Sequence, residues 1–156
     1  MVNAALPSAT RIWSWLADVA DPEIPALSVV DLGIVRGVAV GADGSVDITL
    51  TPTYSGCPAT RTIERAIGET LAAHGVPRVR LHVALAPAWT TDWITLAGHA
   101  KLLAYGIAPP QRSAAIACPQ CGSQATELVS RFGSTPCKAL RRCITCKEPF
   151  DHFKCH

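Results

Sequence analysis

The 156-residue sequence carries little charge and almost no excess of either sign. Charged residues make up 17% of the chain, apolar residues make up 49%, and the formal net charge is +2. This composition permits a well-packed core and argues against wholesale disorder. The small net charge also argues against a surface built for nucleic acid or membrane. We therefore expect a folded protein whose partners are neither.

Targeting segments and familiar catalytic motifs are also missing. No Lys or Arg precedes Arg11, no apolar core marks a secretory signal, and no run of about 18 apolar residues could span a bilayer. Seven cysteines without an export signal favour a reducing cytoplasm, with metal or thiol chemistry rather than disulfides. The sequence has no P-loop, dinucleotide fingerprint, Ser-His-Asp pattern or H-E-x-x-H motif, so it predicts no catalytic residue of those classes.

The apolar spacing predicts a small mixed α/β domain with the order α-β-β-α-β-α. The predicted helices cover residues 8–20, with Ser8 as the cap, 58–74 and 90–104, and the predicted strands cover residues 34–40, 45–50 and 79–85. Two further short strands are predicted in the tail, over residues 126–132 and 150–153. The composition changes abruptly after Arg112, because six of the seven cysteines follow it. We therefore predict an α/β domain over residues 1–112 and a zinc ribbon over residues 113–156.

Cys57 occupies the turn between a predicted strand and the second predicted helix. Pro58 suits the first position of a helix, which places Cys57 at or beside the N-cap. Unpaired N–H groups and the positive end of the helix dipole would favour a thiolate there. The alternative is a small buried residue that fills the corner between strand and helix. Position alone leaves both interpretations open.

Two C-x-x-C pairs predict a metal site in the tail. Cys118 and Cys121 form one pair, and Cys143 and Cys146 form the other. Two such turns can present four sulfurs to one tetrahedral Zn²⁺. A tail of about 40 residues buries too little apolar surface to fold alone, so a structural metal would replace the missing core. A thioredoxin-like redox pair is the competing interpretation, and it lacks the βαβ context.

Several other polar residues have two interpretations each. Cys137, Cys155 and His156, with His152 nearby, could form a second metal or iron–sulfur site, or could carry no ligand. Cys137 could also replace one of the four ribbon cysteines. The carboxylates before the first strand could supply oxygen ligands or simply form turns. These carboxylates are Asp21, Glu23 and Asp31.

Six short runs resemble known families. The runs at residues 21–25, 30–34, 50–58 and 87–93 are similar to the signature runs of the SufT-like iron–sulfur maturation domain family. The tail runs, Phe-Gly-Ser-Thr-Pro-Cys137-Lys-Ala-Leu and Glu-Pro-Phe-Asp-His-Phe-Lys-Cys155-His, resemble the PaaD family. Members of that family are accessory proteins encoded with the multicomponent phenylacetyl-CoA monooxygenase, a ring epoxidase.

The resemblance implies a role in iron–sulfur cluster assembly or delivery rather than substrate turnover. Cys57 would be the reactive cysteine and would ligate iron or a cluster transiently. Cys118, Cys121, Cys143 and Cys146 would hold zinc. The supporting residues around Cys57 would be Asp21, Glu23, Asp31 and Thr53.

The resemblance also suggests partners and two competing functions. The clients would be the [2Fe–2S] reductase and the di-iron oxygenase of the epoxidase system, and a second subunit could contribute a thiol in a homodimer. In one alternative the protein is a non-catalytic zinc-binding structural subunit of the oxygenase complex. In another it is a thiol-dependent enzyme acting on a CoA thioester, although no histidine lies close to Cys57 in sequence.

Overall fold

The computed structural model describes residues 5–156, which form two compact units. The first unit extends to Trp89, and the second runs from Thr90 to His156. The domain boundary that we predict at residue 112 therefore lies inside the second unit. The reason is that residues 107–108 pair with a strand of the ribbon sheet.

The first unit has the predicted alternation of helices and strands. Strand β1 pairs antiparallel with β2, and β2 pairs parallel with β3, so β2 is central. Ser8 caps the first helix, as predicted, by accepting a hydrogen bond from the N–H of Arg11 at 3.2 Å. The elements are α1 (Ala9–Leu16), β1 (Val35–Val40), β2 (Val46–Leu50), α2 (Ala59–Ala73) and β3 (Val79–Val83).

One face of this sheet is apolar and buried. Alternate residues of β2 point into the core, where helix α2 contributes an apolar stripe at helical spacing. The other face carries Asp47, whose carboxylate accepts hydrogen bonds from the Arg80 guanidinium at 2.9 Å and lies 2.9 Å from His82 Nε2. The core residues are Ile12, Leu16, Val46, Ile48, Leu50, Ile63, Ile67 and Leu71.

The second unit begins with a helical segment in two pieces, whereas the sequence predicts one continuous helix. A 3₁₀ turn covers Thr91–Trp93, and α3 covers Leu96–Ala104. Thr95 is extended and its hydroxyl accepts from the N–H of Gly98 at 3.0 Å, so it caps α3. Thr90 caps the 3₁₀ turn in the same way.

A four-stranded sheet completes the second unit, with the strand order β4-β7-β6-β5. The sequence predicts the strands near residues 126 and 150 but misses the central strand, β6. The basic residues of β6 do not show the apolar pattern that predicts a buried strand. Lys138 is nevertheless only 4% exposed, and the strand is paired on both edges. The strands are β4 (Ile107–Ala108), β5 (Thr126–Ser130), β6 (Lys138–Cys143) and β7 (Pro149–Phe153).

Helix length and polarity bear on the membrane prediction. Within residues 5–156, none of the helices combines the length and the apolar character that a membrane crossing requires.

The two-residue strand β4 generates a prediction about the minimal ribbon. A zinc-loaded fragment of residues 90–156 should keep its sheet, whereas a fragment of residues 113–156 should be less stable. Burial of Ile107, which is 5% exposed, contributes about 2 kcal/mol that the shorter fragment lacks. Thermal unfolding in excess zinc measures the difference. Equal midpoints for the two fragments would show that β4 is dispensable.

Candidate metal centre and cysteine loop

The four predicted zinc ligands come together in the ribbon. The sulfur atoms of Cys118, Cys121, Cys143 and Cys146 all lie within 4.8 Å of one another. Two pairs lie closer, with 3.7 Å between the sulfurs of Cys118 and Cys146 and 3.6 Å between those of Cys121 and Cys143. A tetrahedron with Zn–S bonds of about 2.3 Å has sulfur–sulfur edges of about 3.8 Å. The donor set therefore fits zinc in both chemistry and size.

The two C-x-x-C turns have the same backbone design. In each turn a backbone N–H donates to the first sulfur at 3.4 Å, from Gln120 to Cys118 and from Cys146 to Cys143. The residue after each pair has a left-handed backbone, with φ of 76° at Gly122 and 69° at Lys147. The N–H of Cys146 lowers the pKa of the Cys143 thiol to about 6, which favours the thiolate that a metal requires.

The ribbon cysteines are also part of the local core. Cys118 and Cys143 are 2% and 0% exposed and pack with a few apolar residues. This cluster is small, so the metal ligands supply a substantial share of the buried side chains. Its other members are Ala108, Ile116 and Phe150.

The residues proposed for a second metal are not grouped in the same way. Among residues 5–156, the four ribbon cysteines are the one set of three or more potential ligands close enough to share an ion. Cys137 is buried, with its sulfur 3.0 Å from the Thr135 hydroxyl, whereas the exposed Cys155 thiol donates to the Gln111 carbonyl at 3.4 Å. The geometry gives a site at Cys137, Cys155 and His156 no support, and that site remains a prediction.

The tail runs that resemble the PaaD family form a polar cross-link between two strands. The Asp151 carboxylate accepts a hydrogen bond from the Ser134 hydroxyl at 3.0 Å and lies 3.9 Å from the buried Lys138 ammonium. A side chain at Gly133 would come within 2.5 Å of the same carboxylate. A larger residue there would therefore force the Asp151 side chain to shift, and these residues hold the β5–β6 loop against β7.

His152 is a buried imidazole on β7. It is 8% exposed, and among the described residues its Nε2 has no hydrogen-bond partner. Burial, together with the smaller effect of the charges of Arg141 and Lys154, lowers the pKa of His152 to about 4. The imidazole is therefore neutral near pH 7.

Cys57 lies one residue before the N-cap of α2, close to the predicted position. Pro58 is the N-cap, and the N–H of Thr60 donates to the Cys57 carbonyl at 3.1 Å. The preceding turn is closed by a hydrogen bond of 3.3 Å from the N–H of Cys57 to the Tyr54 carbonyl, with Gly56 at φ 76°. The left-handed backbone explains the glycine, since a larger residue would be strained.

The Cys57 side chain is half-buried and lines an open cavity of about 550 Å³. Arg61 and Glu64 from the first turns of α2 line the same cavity, as do Val83 and Leu85. Val83 and Leu85 are 46% and 58% exposed, so the rim is apolar and open. The arrangement offers one accessible thiol beside one cation and one carboxylate. The deep corner-filling alternative does not describe this position.

The supporting residues divide into two groups. Asp21 and Asp31 form turns within the connector before β1. The Asp21 carboxylate accepts from the N–H groups of Glu23 and Ile24, and the Asp31 carboxylate accepts from the N–H of Ser28 at 2.9 Å. Both aspartates are buried, and neither they nor Glu23 line the Cys57 cavity.

Thr53 lies in the Cys57 loop itself and lines a neighbouring cavity of about 330 Å³. Tyr54, Leu85 and Trp89 form other walls of this cavity. Trp89 is 5% exposed, and its indole N–H donates to the Leu32 carbonyl at 2.8 Å. No pattern in the sequence predicts this bond, because the carbonyl lies 57 positions away.

Comparison with known proteins decides the family. The model described as "Iron-sulfur cluster assembly protein" matches residues 9–81, and the "PaaD zinc beta ribbon domain" model matches residues 106–154. The chain is 46% identical to an Escherichia coli K12 protein named as a putative 1,2-phenylacetyl-CoA epoxidase subunit, across 99% of this chain and 98% of that protein. The chain belongs to the PaaD family. The ribbon of this PaaD family member is thus a zinc ribbon, and its four clustered cysteines are the candidate ligands.

The first unit has further relatives. An "Fe-S protein maturation auxiliary factor" of Porphyromonas gingivalis W83 is 38% identical, over 61% of this PaaD family chain and 90% of that protein. The crystal structure of a DUF59 domain of unknown function from Bacillus anthracis aligns with a TM-score of 0.57 and 25% identity, over 60% of this chain and 90% of that one. The predicted α/β fold class, with its C-terminal zinc ribbon, is therefore confirmed.

Removal of one ribbon ligand should abolish zinc binding. We expect one zinc per chain in the wild type and loss of that zinc in Cys143→Ser, because three thiolates leave the tetrahedron open. Zinc released to a chromogenic chelator, with amide spectra of the ribbon, measures both metal and fold. Cys137→Ser is the matched control and should keep one zinc. A second zinc that disappears in Cys137→Ser would instead establish the second site.

Protonation of His152 should destabilise the ribbon in acid. Because the folded pKa of His152 is lowered from 6.5 to about 4, its contribution is complete above pH 6.5 and is lost as the pH falls towards 4. The loss amounts to roughly 3 kcal/mol. Unfolding in excess zinc between these pH values measures it.

His152→Gln should flatten that pH dependence, since glutamine does not titrate. Phe153→Leu, a core change on the same strand, should lower stability at every pH without changing the slope. An identical slope in His152→Gln and the wild type would assign the acid sensitivity to other groups, such as the zinc thiolates.

Proposed function

We propose that this protein assembles or delivers iron or an iron–sulfur cluster for a phenylacetyl-CoA epoxidase, and that it acts in the cytoplasm. Its relatives, which include an Fe-S maturation auxiliary factor and a putative epoxidase subunit, support an iron–sulfur-related accessory role. The delivery step is the finer part of the proposal. The observation that carries it is the accessible Cys57 thiol, which lines an open cavity in the unit that matches the iron–sulfur assembly model.

The chemistry of the cavity suits transient rather than permanent ligation. Iron–sulfur clusters are usually held by four protein ligands, mostly thiolates. Within residues 5–156, Cys57 belongs to no group of three or more potential ligands that could share an ion. A cluster bound at Cys57 would therefore take its other ligands from another protein. Such a site receives and releases its cargo easily, as a delivery factor requires.

The partner in this exchange would be a component of the epoxidase. The [2Fe–2S] reductase would receive a cluster, and the di-iron oxygenase would receive iron. A second copy of the chain could supply a further thiol before transfer. The zinc ribbon would then serve in docking rather than in chemistry, because its four thiolates are saturated by zinc.

A second candidate function is that of a zinc-binding structural subunit of the epoxidase complex. The naming of the near full-length relative as an epoxidase subunit favours it. In that case zinc and the tryptophans serve assembly alone, and Cys57 has no chemical task. The two functions differ in what the loss of the Cys57 thiol does to the client.

Replacement of Cys57 separates the two candidates. In cells that produce the whole epoxidase system, Cys57→Ser should lower the cluster content of the reductase, measured by iron and acid-labile sulfide after anaerobic purification. Cys155→Ser, which removes an exposed ribbon thiol, is the matched control and should leave loading unchanged. Zinc should stay at one per chain in both variants. A fully loaded reductase with Cys57→Ser, in a complex of normal stoichiometry, would favour the structural subunit.

A further inference from the structure

The signature runs of the first unit meet in one hydrogen-bonded tract beside Cys57. At the end of the connector, the Leu32 carbonyl accepts from the Trp89 indole at 2.8 Å, and the Ile34 carbonyl accepts from the N–H of Thr51 at 2.8 Å. Thr51 opens the loop that leads to Cys57. The second bond attaches the connector to the Cys57 loop, and the first attaches it to the segment that contains Trp89.

The connector end is itself held firmly. Asp31 and Ser28 exchange hydrogen bonds, with the Asp31 carboxylate accepting from the N–H of Ser28 at 2.9 Å and the Ser28 hydroxyl accepting from the N–H of Asp31 at 3.0 Å. The N–H of Leu32 then donates to the Ser28 carbonyl at 3.1 Å. The carbonyl that Trp89 contacts is therefore fixed in place, and Leu32 is 2% exposed.

Trp89 bonds to this fixed carbonyl and lines a cavity that the loop also lines. Its ring lines the cavity whose other walls include Thr53, Tyr54 and Ser55, the residues that directly precede Gly56 and Cys57. We propose that Trp89 is a positioning residue, which holds the Cys57 loop in register with the connector and so sets the accessibility of the thiol. The inference deepens the proposed function, since the positioned thiol is the one that would ligate the cargo.

The indole N–H of Trp89, rather than the volume of its ring alone, positions the loop. Phenylalanine would fill most of the space left by tryptophan but has no N–H. The buried Leu32 carbonyl would then lose its indole donor, and a buried carbonyl without a partner is costly. The loop would relax away from the connector, because the bond at Thr51 restrains only its beginning.

Alkylation of Cys57 tests the inference without reference to iron. In the zinc-loaded full chain, the rate of modification by N-ethylmaleimide is followed at Cys57 by mass spectrometry of peptides. Trp89→Phe should raise this rate about fivefold, the ratio that corresponds to one lost hydrogen bond. Two controls should leave the rate unchanged: Trp93→Phe removes another indole N–H, and Ile67→Val lowers stability in the core without touching the loop.

A second variant distinguishes the loss of the N–H from a general packing defect. The benzothienyl analogue of tryptophan at position 89 keeps the shape of the ring and replaces its N–H with sulfur. It should accelerate alkylation as Trp89→Phe does. A wild-type rate in the analogue would overturn the inference, because the ring shape alone would then suffice.

The outcome is independent of the proposed function. If Trp89→Phe accelerates alkylation while Cys57→Ser leaves the reductase loaded, Trp89 positions a thiol that does not deliver iron. If Cys57→Ser abolishes loading while both Trp89 variants keep the wild-type alkylation rate, the delivery function stands and the positioning role fails.

Discussion

The ribbon depends on four sulfur atoms that converge on one point. Its local core has five members, and two of them, Cys118 and Cys143, belong to the predicted ligand set. Metal–ligand bonds, which the unfolded chain cannot form, would add to the stability of so small a local core. The polar contacts in the ribbon, such as the Asp151 cross-link, would add to the stability that the metal supplies.

The two units place their cysteines in opposite environments. In the ribbon, backbone N–H groups point at sulfurs that are enclosed and grouped for a metal. In the first unit, Cys57 is isolated and open, with an apolar rim beside it. Saturated thiolates are inert, whereas an accessible single thiol can exchange ligands. This contrast explains why one chain contains both a structural zinc site and a candidate reactive cysteine.

The sequence predicts the features that follow from local rules. The Ser8 cap, the C-x-x-C turns and the strand–turn–helix around Cys57 each depend on neighbouring residues, so their patterns are visible. The sequence does not predict the central strand β6, because Lys138 is buried only when this strand pairs with two others. The pairing of β4 with β7 and the bond from Trp89 to Leu32 join residues far apart in sequence, and no local pattern encodes them.

The two C-x-x-C turns have nearly the same backbone conformation, but that conformation costs different amounts of free energy in each turn. Gly122 adopts its left-handed conformation without penalty, whereas Lys147 adopts nearly the same φ with a side chain, at a cost of about 1 kcal/mol. The second turn thus carries a conformational cost that zinc binding would offset. Without the metal, the turn that contains Gly122 would keep its conformation, whereas the turn that contains Lys147 would tend to relax.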